Sequence, residues 1–424
     1  MAEVISREGN EIVVQVKVKL EGSLLKMEDN IQKAVNDLGM AATGEALSLF
    51  DTTGAKIQIG DIRLSSKGKV AKIYETPYGA VEVARHVYQT ARGGKTYCPL
   101  DEKARIVTHS TPRFAKIIMN KYARLSAGEV VEDLRISHDR GVARSFLQNL
   151  VDMVGSIAQA TEEDWTYAIP LTEAEVATVS VSLDGTCILM LGSGYREAMT
   201  GAISLYDTDG ERLHTIYLGA APEYGKPTFL MRMERELLRV KQAYPNANYV
   251  GIADGAKINW EFLEKHTKYQ VLDFYHATEY LAKASHAVQA PSDHVRREWS
   301  KSACHRLKHD EGAAAALLKE MQEIKEESLR VDVAAALKSA VTYFTNQQHR
   351  MGYPRYTAMG FPIGSGVTEA ACKTLVKQRL CHSGMKWKER GAGIVLALRA
   401  LVCTKGRFEQ FWNRIDQTGL AGII

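Results

Sequence analysis

Long apolar runs are missing from this chain. No stretch approaches the ~18 consecutive apolar residues that a membrane span needs, and the opening MAEVISREGNEIVV lacks the apolar centre of a secretion signal. The expectation is a cytoplasmic protein with no membrane partner. Paired cysteines are missing too. Six cysteines lie scattered at Cys98, Cys187, Cys304, Cys372, Cys381 and Cys403 with no C-x-x-C among them, which argues against a zinc knuckle or a disulfide framework and fits a reducing compartment. A dominant charge of one sign is also absent, since the net charge is only +4 over 424 residues.

What is present is the composition of a globular protein, 45% hydrophobic and 25% charged, at a length that predicts two or three domains. The small net charge hides an uneven distribution. Residues 366–414 hold ten Lys or Arg against three Glu, an excess of seven that leaves the rest of the chain slightly acidic. A basic stretch of this kind points either to a polyanion such as nucleic acid or to a solvated helical face.

Four regions follow along the chain. In residues 1–110, EIVVQVKVK alternates like a half-buried strand, 22–48 reads as helix, YETPYGAVEVARHVYQT reads as a hairpin around Pro77 and Gly79, and RGGKTYCPL reads as a loop. This predicts a small α/β domain. Residues 111–172 turn helical, with a Ser126/Glu129 capping box and Ser137 placed to cap a third helix. Arg140 and Arg144 on that helix fit either a helix-turn-helix reading a DNA major groove or a plain three-helix linker. Residues 173–276 and 351–424 form the third region. There EVATVSVSLDGTCILML and two more strand-like runs, hinged at Asp207-Thr208-Asp209-Gly210, precede helix, strand, helix and strand. That order is the one found in a ribonuclease H-like α/β core. Residues 277–350, rich in Ala, Glu, Lys and Leu, read as an all-helical insertion.

Three carboxylates stand out by position. Asp184 interrupts the strand-like VSVSLDGT, where an unpaired charge is costly. Asp254 ends the apolar run VGIADG, and Glu369 falls in the first helical turn after Gly364-Ser365-Gly366. Singly, the last two fit a turn residue and a helix-start carboxylate answering the dipole. Together, carboxylates converging on one point repel unless cations neutralise them. A pair of divalent ions held this way is a standard device for phosphodiester chemistry, and oxygen donors favour Mg²⁺ or Mn²⁺. Lys373 and Lys377, spaced four residues apart beyond Glu369, share its helical face and are expected to meet DNA phosphates. Arg379, Lys386 and Lys388 extend that track. Trp387 is placed either to stack on a base or to pack in the core.

Several strings resemble, in order and spacing, the bacterial insertion-sequence transposases of the Kra type, relatives of the Mutator-like superfamily. They are VSLDGT, GYREAMTGAISLYDTDGERLHTIYLG, YVGIADGAKINWEFLE, VLDFYHATEYL and GSGVTEAACKTLVKQRLCHSGMKW. The resemblance runs from about Glu173 to Trp412 and is weaker before it. It implies that Asp184, Asp254 and Glu369 are a catalytic, metal-holding DDE triad. It also implies that Asp273 and His276 are the family's C/D-x-x-H pair, with His276 meeting a phosphate or orienting a carboxylate and Asp273 behind it; the plain alternatives are a histidine packed just past a strand and an aspartate that caps a helix. The implied activity is metal-dependent cleavage of double-stranded DNA at an element's terminal inverted repeats and strand transfer into target DNA. A homodimer or higher synaptic oligomer, associated with the nucleoid, follows from the need to process two ends. A ribonuclease H-like nuclease that cuts without joining and a domesticated DNA-binding protein without catalysis are the alternatives.

Overall fold

In the computed structural model the chain divides into two units, Met1–Tyr167 with Ala397–Val402 and Gly406–Ile424, and Ala168–Leu396 with Cys403–Lys405. The described residues are 2–162, 164–224, 226–288, 292–325 and 329–419. The final stretch, grouped by the sequence with the catalytic region, thus falls largely in the first unit. Both units are mixed α/β or contain several helices around a sheet.

The first unit opens with an antiparallel hairpin of β1 (Ala2–Glu8) and β2 (Glu11–Val16), followed by α1 (Leu24–Ser48). A four-stranded antiparallel sheet comes next: β3 (Ile57–Ile59), β4 (Ile62–Glu75), β5 (Ala80–Thr90) and β6 (Gly93–Tyr97). The last of these was expected to be a loop. Two glycines at positive φ, Gly93 and Gly94, gave it the look of a turn, yet they only start a short edge strand that pairs Tyr97 with Tyr88.

Short α2 (Pro99–Lys103) leads to three helices, α3 (Pro112–Tyr122), α4 (Ala127–His138) and α5 (Arg144–Thr161). The Ser126/Glu129 capping box forms as the spacing predicts. Ser137 does not cap α5; it lies inside α4, which Asp139 ends in the left-handed region, and the residue preceding α5 is Ala143. Arg140 therefore precedes the helix rather than riding on it. Its guanidinium is buried, with Nη2 2.5 Å from Glu75 Oε2 and Nε 3.0 Å from the Thr76 carbonyl, and it stacks on Phe114. An arginine so engaged is a packing element, and the expectation that it reads DNA is corrected. Arg144 begins α5 and is exposed.

The second unit is organised by β7 (Thr178–Met190), β8 (Gly194–Tyr206) and β9 (Arg212–Ala220), joined as antiparallel hairpins. At the expected hinge, Asp207 Oδ1 accepts the amides of Asp209 and Glu211, and Gly210 takes φ +80°. Helix α6 (Pro227–Ala243) then crosses to β10 (Asn248–Ala253), which pairs parallel with β7. Helix α7 (Lys257–His266) crosses to β11 (Tyr269–Leu272), parallel with β10. Parallel neighbours require such crossovers, whereas hairpins do not. The strand order is β11-β10-β7-β8-β9, so β7 is central, and its first six residues are all buried.

After β11 come α8 (Phe274–Ser285), α9 (Asp293–His309), α10 (Ala313–Gln322) and α11 (Val331–Gln347). No strand interrupts this stretch among the described residues, as the composition predicts. Its Leu281, Leu307, Leu317, Leu337 and Phe344 join the same apolar core as Val181 and Ile203 of the sheet, so the helices are packed against it rather than tethered to it. Short α12 (Tyr353–Ala358) precedes a helix that starts as α13 (Gly366–Ala371), widens into a π turn over Cys372–Lys377, and closes as α14 (Gln378–Leu380). Helices α15 (Glu389–Cys403) and α16 (Arg407–Thr418) end the described chain. Among the described residues no helix is long and apolar enough to cross a membrane.

Candidate functional site

Asp184 sits where the central strand changes its surroundings. Up to Ser182, β7 is flanked by β10 on one side and β8 on the other; beyond it, only the β8 pairing continues. The strand therefore enters a site with one free edge. Gly185 follows, and a Cβ there would fall 2.3 Å from Glu197 Oε1, so any larger residue would displace the Glu197 side chain. The register that sets Ile252 against Ser182 carries Asp254, just past the end of β10, opposite Asp184. Parallel strands thus deliver two carboxylates to the same end of the sheet, the end where open α/β sheets bind ligands.

The third carboxylate arrives on α13. Asp273, wholly buried, organises its approach. One carboxylate oxygen accepts the His276 amide at 2.9 Å, capping α8, and the other accepts the amide of Ser365, the residue before α13. Its own amide donates to the Ala253 carbonyl at 2.9 Å, and the next amide, of Phe274, donates to Ile363. One side chain and its backbone therefore tie together the end of β10, the start of α8 and the start of α13. Ser182 and Thr368 add a buried hydroxyl pair between β7 and α13.

These elements enclose a cavity of about 820 Å³ whose wall includes Asp184, His276, Glu369, Lys373 and Lys377. Glu369 is exposed and accepts a hydrogen bond from Ser365 Oγ at 3.3 Å. Lys373 and Lys377 lie on the same wall, as their spacing predicts, although this part of the helix has π rather than α geometry. His276 is about one-third exposed, with Nδ1 3.7 Å from Glu279. Asp254 lies outside the cavity lining; its Oδ1 accepts the Ala256 amide at 3.2 Å, and its carbonyl accepts the Tyr343 hydroxyl.

Asp184 is the electrostatic centre. Burial pushes its carboxyl above the usual carboxylate range, and the neighbouring Asp254 charge pushes the same way; hydrogen bonds from Cys372 and the Gly185 amide and the nearby His276 oppose them. Cys372 was not singled out from the sequence. Its Sγ donates to Asp184 Oδ2 at 3.3 Å and lies 2.9 Å from Thr200 Oγ1. Burial, with the Asp184 charge behind it, pushes the thiol up to about 12, so it remains a donor at neutral pH. A cysteine three residues past Glu369 faces the same way on a helix, and that spacing was the available signal.

Among the described residues none of Asp184, Asp254 and Glu369 forms an ion pair, and no three His, Cys, Asp or Glu side chains stand close enough together to hold one metal ion. The donors are nevertheless of the right kind. A partly buried carboxylate with a second carboxylate beside it and no ion pair among the described residues is suited to a hard divalent ion.

Other expected DNA contacts divide sharply. Lys386 and Lys388 are exposed. Arg379 is almost wholly buried, with its guanidinium over the Trp387 ring, and is corrected from a DNA contact to a core residue. Trp387 is packed as well: its backbone bridges to Leu189 near the end of β7 and to Leu191 just past it, and its Nε1 donates to the Leu380 carbonyl. Arg399 and Arg407 are also buried, and the basic segment is shared between two units. At Arg379, Arg399 and Arg407 the charge is therefore interior rather than on a surface. No family model matches this sequence, and no curated protein matches it either.

Proposed function

We propose that this chain is a DDE-type transposase whose second unit is a ribonuclease H-like catalytic core. The observation that carries this reading is one cavity lined by Asp184 of the central strand, Glu369, Lys373 and Lys377. Strand order supports it: three antiparallel strands followed by two parallel ones, with the first strand central, is the order expected of that core. The resemblance in the strings around each carboxylate supports it independently of the geometry.

Asp184 and Asp254 would hold divalent magnesium or manganese, with Glu369 completing the set from the cavity wall. Two such ions supply activation of a water or 3′-hydroxyl and stabilisation of the leaving oxygen. The chain's own side chains do the rest. Lys373 and Lys377 draw a DNA phosphate into the cavity, His276 meets a phosphate oxygen or orients a carboxylate, and Cys372 fixes the Asp184 carboxylate by its hydrogen bond. The substrate is double-stranded DNA, element ends and target, handled by a homo-oligomer in the cytoplasm and at the nucleoid.

Joining separates this function from simple cutting. A pre-cleaved element end bearing a free 3′-hydroxyl, incubated with the full chain and a supercoiled target in magnesium, is expected to yield covalently joined product. Cleavage of intact ends without any joined product would make the protein a nuclease instead.

A further inference from the structure

More than half of the exposed large apolar side chains among the described residues fall before residue 80, and their arrangement on α1 is ordered. Leu24, Ile31, Val35, Leu38 and Leu49, with half-buried Ala42, recur at steps of seven, four, three, four and seven residues. Glu28 and Glu45 occupy the two remaining steps of the same 3.5-residue repeat. This is the spacing that the a/d positions of a coiled coil share. The helix is held from other sides: Ala34, Asn36, Gly39 and Leu47 are buried, and Asn36 Nδ2 donates to the His138 carbonyl. Leu24, Ile31, Val35, Leu38 and Leu49, just past the end of the helix, are all exposed, and only Ala42 and Glu45 of this repeat are partly covered.

We propose that α1 is a self-association helix that pairs antiparallel with α1 of a second copy of this chain. A seam of this kind is self-complementary across a two-fold axis. Centred between Val35 and Leu38, an antiparallel pair sets Leu24 against Leu49, Ile31 against Ala42 and Val35 against Leu38 of the other copy. The same register sets Glu28 against Glu45. Arg7 Nη2 lies 2.5 Å from Glu45 Oε1, and in this register its remaining donors would offset the charge of the opposed Glu28. A parallel pair would instead set Glu28 against Glu28, away from Arg7. Covering the five side chains on both copies buries on the order of 1,000 Å², the lower end of what a specific interface needs. The proposal stands whether or not the protein is a transposase; if it is, this seam is a surface by which its copies associate.

Sedimentation velocity on the full chain, without DNA, tests it. The native chain is expected to be dimeric at micromolar concentration, and Val35→Asp with Leu38→Asp to weaken dimerisation at least about a hundredfold by stranding charges in an apolar seam. Both positions are exposed, so circular dichroism is expected to be unchanged. Arg7→Ala alone is expected to weaken the dimer about tenfold by leaving like charges opposed, and added Glu28→Gln to restore it. A native chain that stays monomeric, association that appears only with added DNA, or a dimer that survives the Val35 and Leu38 changes would overturn the proposal. No effect of Arg7→Ala would overturn the antiparallel register.

Discussion

Replacing Arg140 by Ala separates a folding role from a DNA-reading one. The guanidinium makes a charge-assisted bond to Glu75 and a second bond to the Thr76 carbonyl, and it covers the Phe114 ring. Removing one partner of a buried ion pair costs about 3–5 kcal/mol because the other charge is stranded. Glu75 keeps 23% side-chain exposure, so water recovers part of that, and about 2–4 kcal/mol is the expected net loss. For a unit of this size that corresponds to a fall of roughly 5–15 °C in melting temperature. Thermal unfolding followed by circular dichroism reads the first unit's stability, and fluorescence anisotropy below the transition reads DNA affinity. The expectation is a lowered transition with affinity for element ends and for random duplex unchanged in the folded fraction. An unshifted melting curve together with lost discrimination between the two DNAs would refute the reasoning and return Arg140 to the DNA surface.

Asp184→Asn tests the electrostatics of the cavity. A carboxyl held above its ordinary range binds protons more readily in the fold than when unfolded, so its ionisation costs stability as pH rises from the unfolded value through the folded one. In the absence of metal the variant is therefore expected to be more stable than the native chain at pH 7 and equal to it near pH 3, and a denaturant titration with the reverse order would contradict this. Cys372→Ala removes a donor from the Asp184 carboxylate, and the acidic limb of the cleavage pH profile is expected to move upward; an unmoved limb would show the thiol to be mere packing. Lys373→Glu with Lys377→Glu is expected to weaken binding to all duplexes and to flatten the salt dependence by about one unit of slope per lost phosphate contact. Unchanged affinity would detach the cavity wall from DNA.

What was legible in the sequence was local. The buried run before Asp184, the Asp207–Gly210 hinge and the helix opening at Gly364-Ser365-Gly366 each follow from a few adjacent residues, and each forms. Burial of charge is different because it is decided by distant partners. Arg140 is spent on Glu75, 65 residues earlier, and Arg379 lies against Trp387, so counting cations along the chain overstated the basic surface. Asp273 fits a helix cap from its place before α8, and it caps that helix, but its second oxygen anchors the approach to another helix 92 residues on, which no local pattern reveals. The strand at Gly93–Tyr97 was hidden by glycines that belong to a turn only at its first residues.

The most direct test of the central claim is strand cleavage and joining by Asp184→Asn, Asp254→Asn and Glu369→Gln in magnesium. Each removes one charge with almost no change in volume, so folding and DNA binding are expected to persist while both reactions fall together, because the proposed function assigns both to one set of carboxylates. A folded Asp184→Asn protein that cuts and joins element ends at near the native rate would contradict the account.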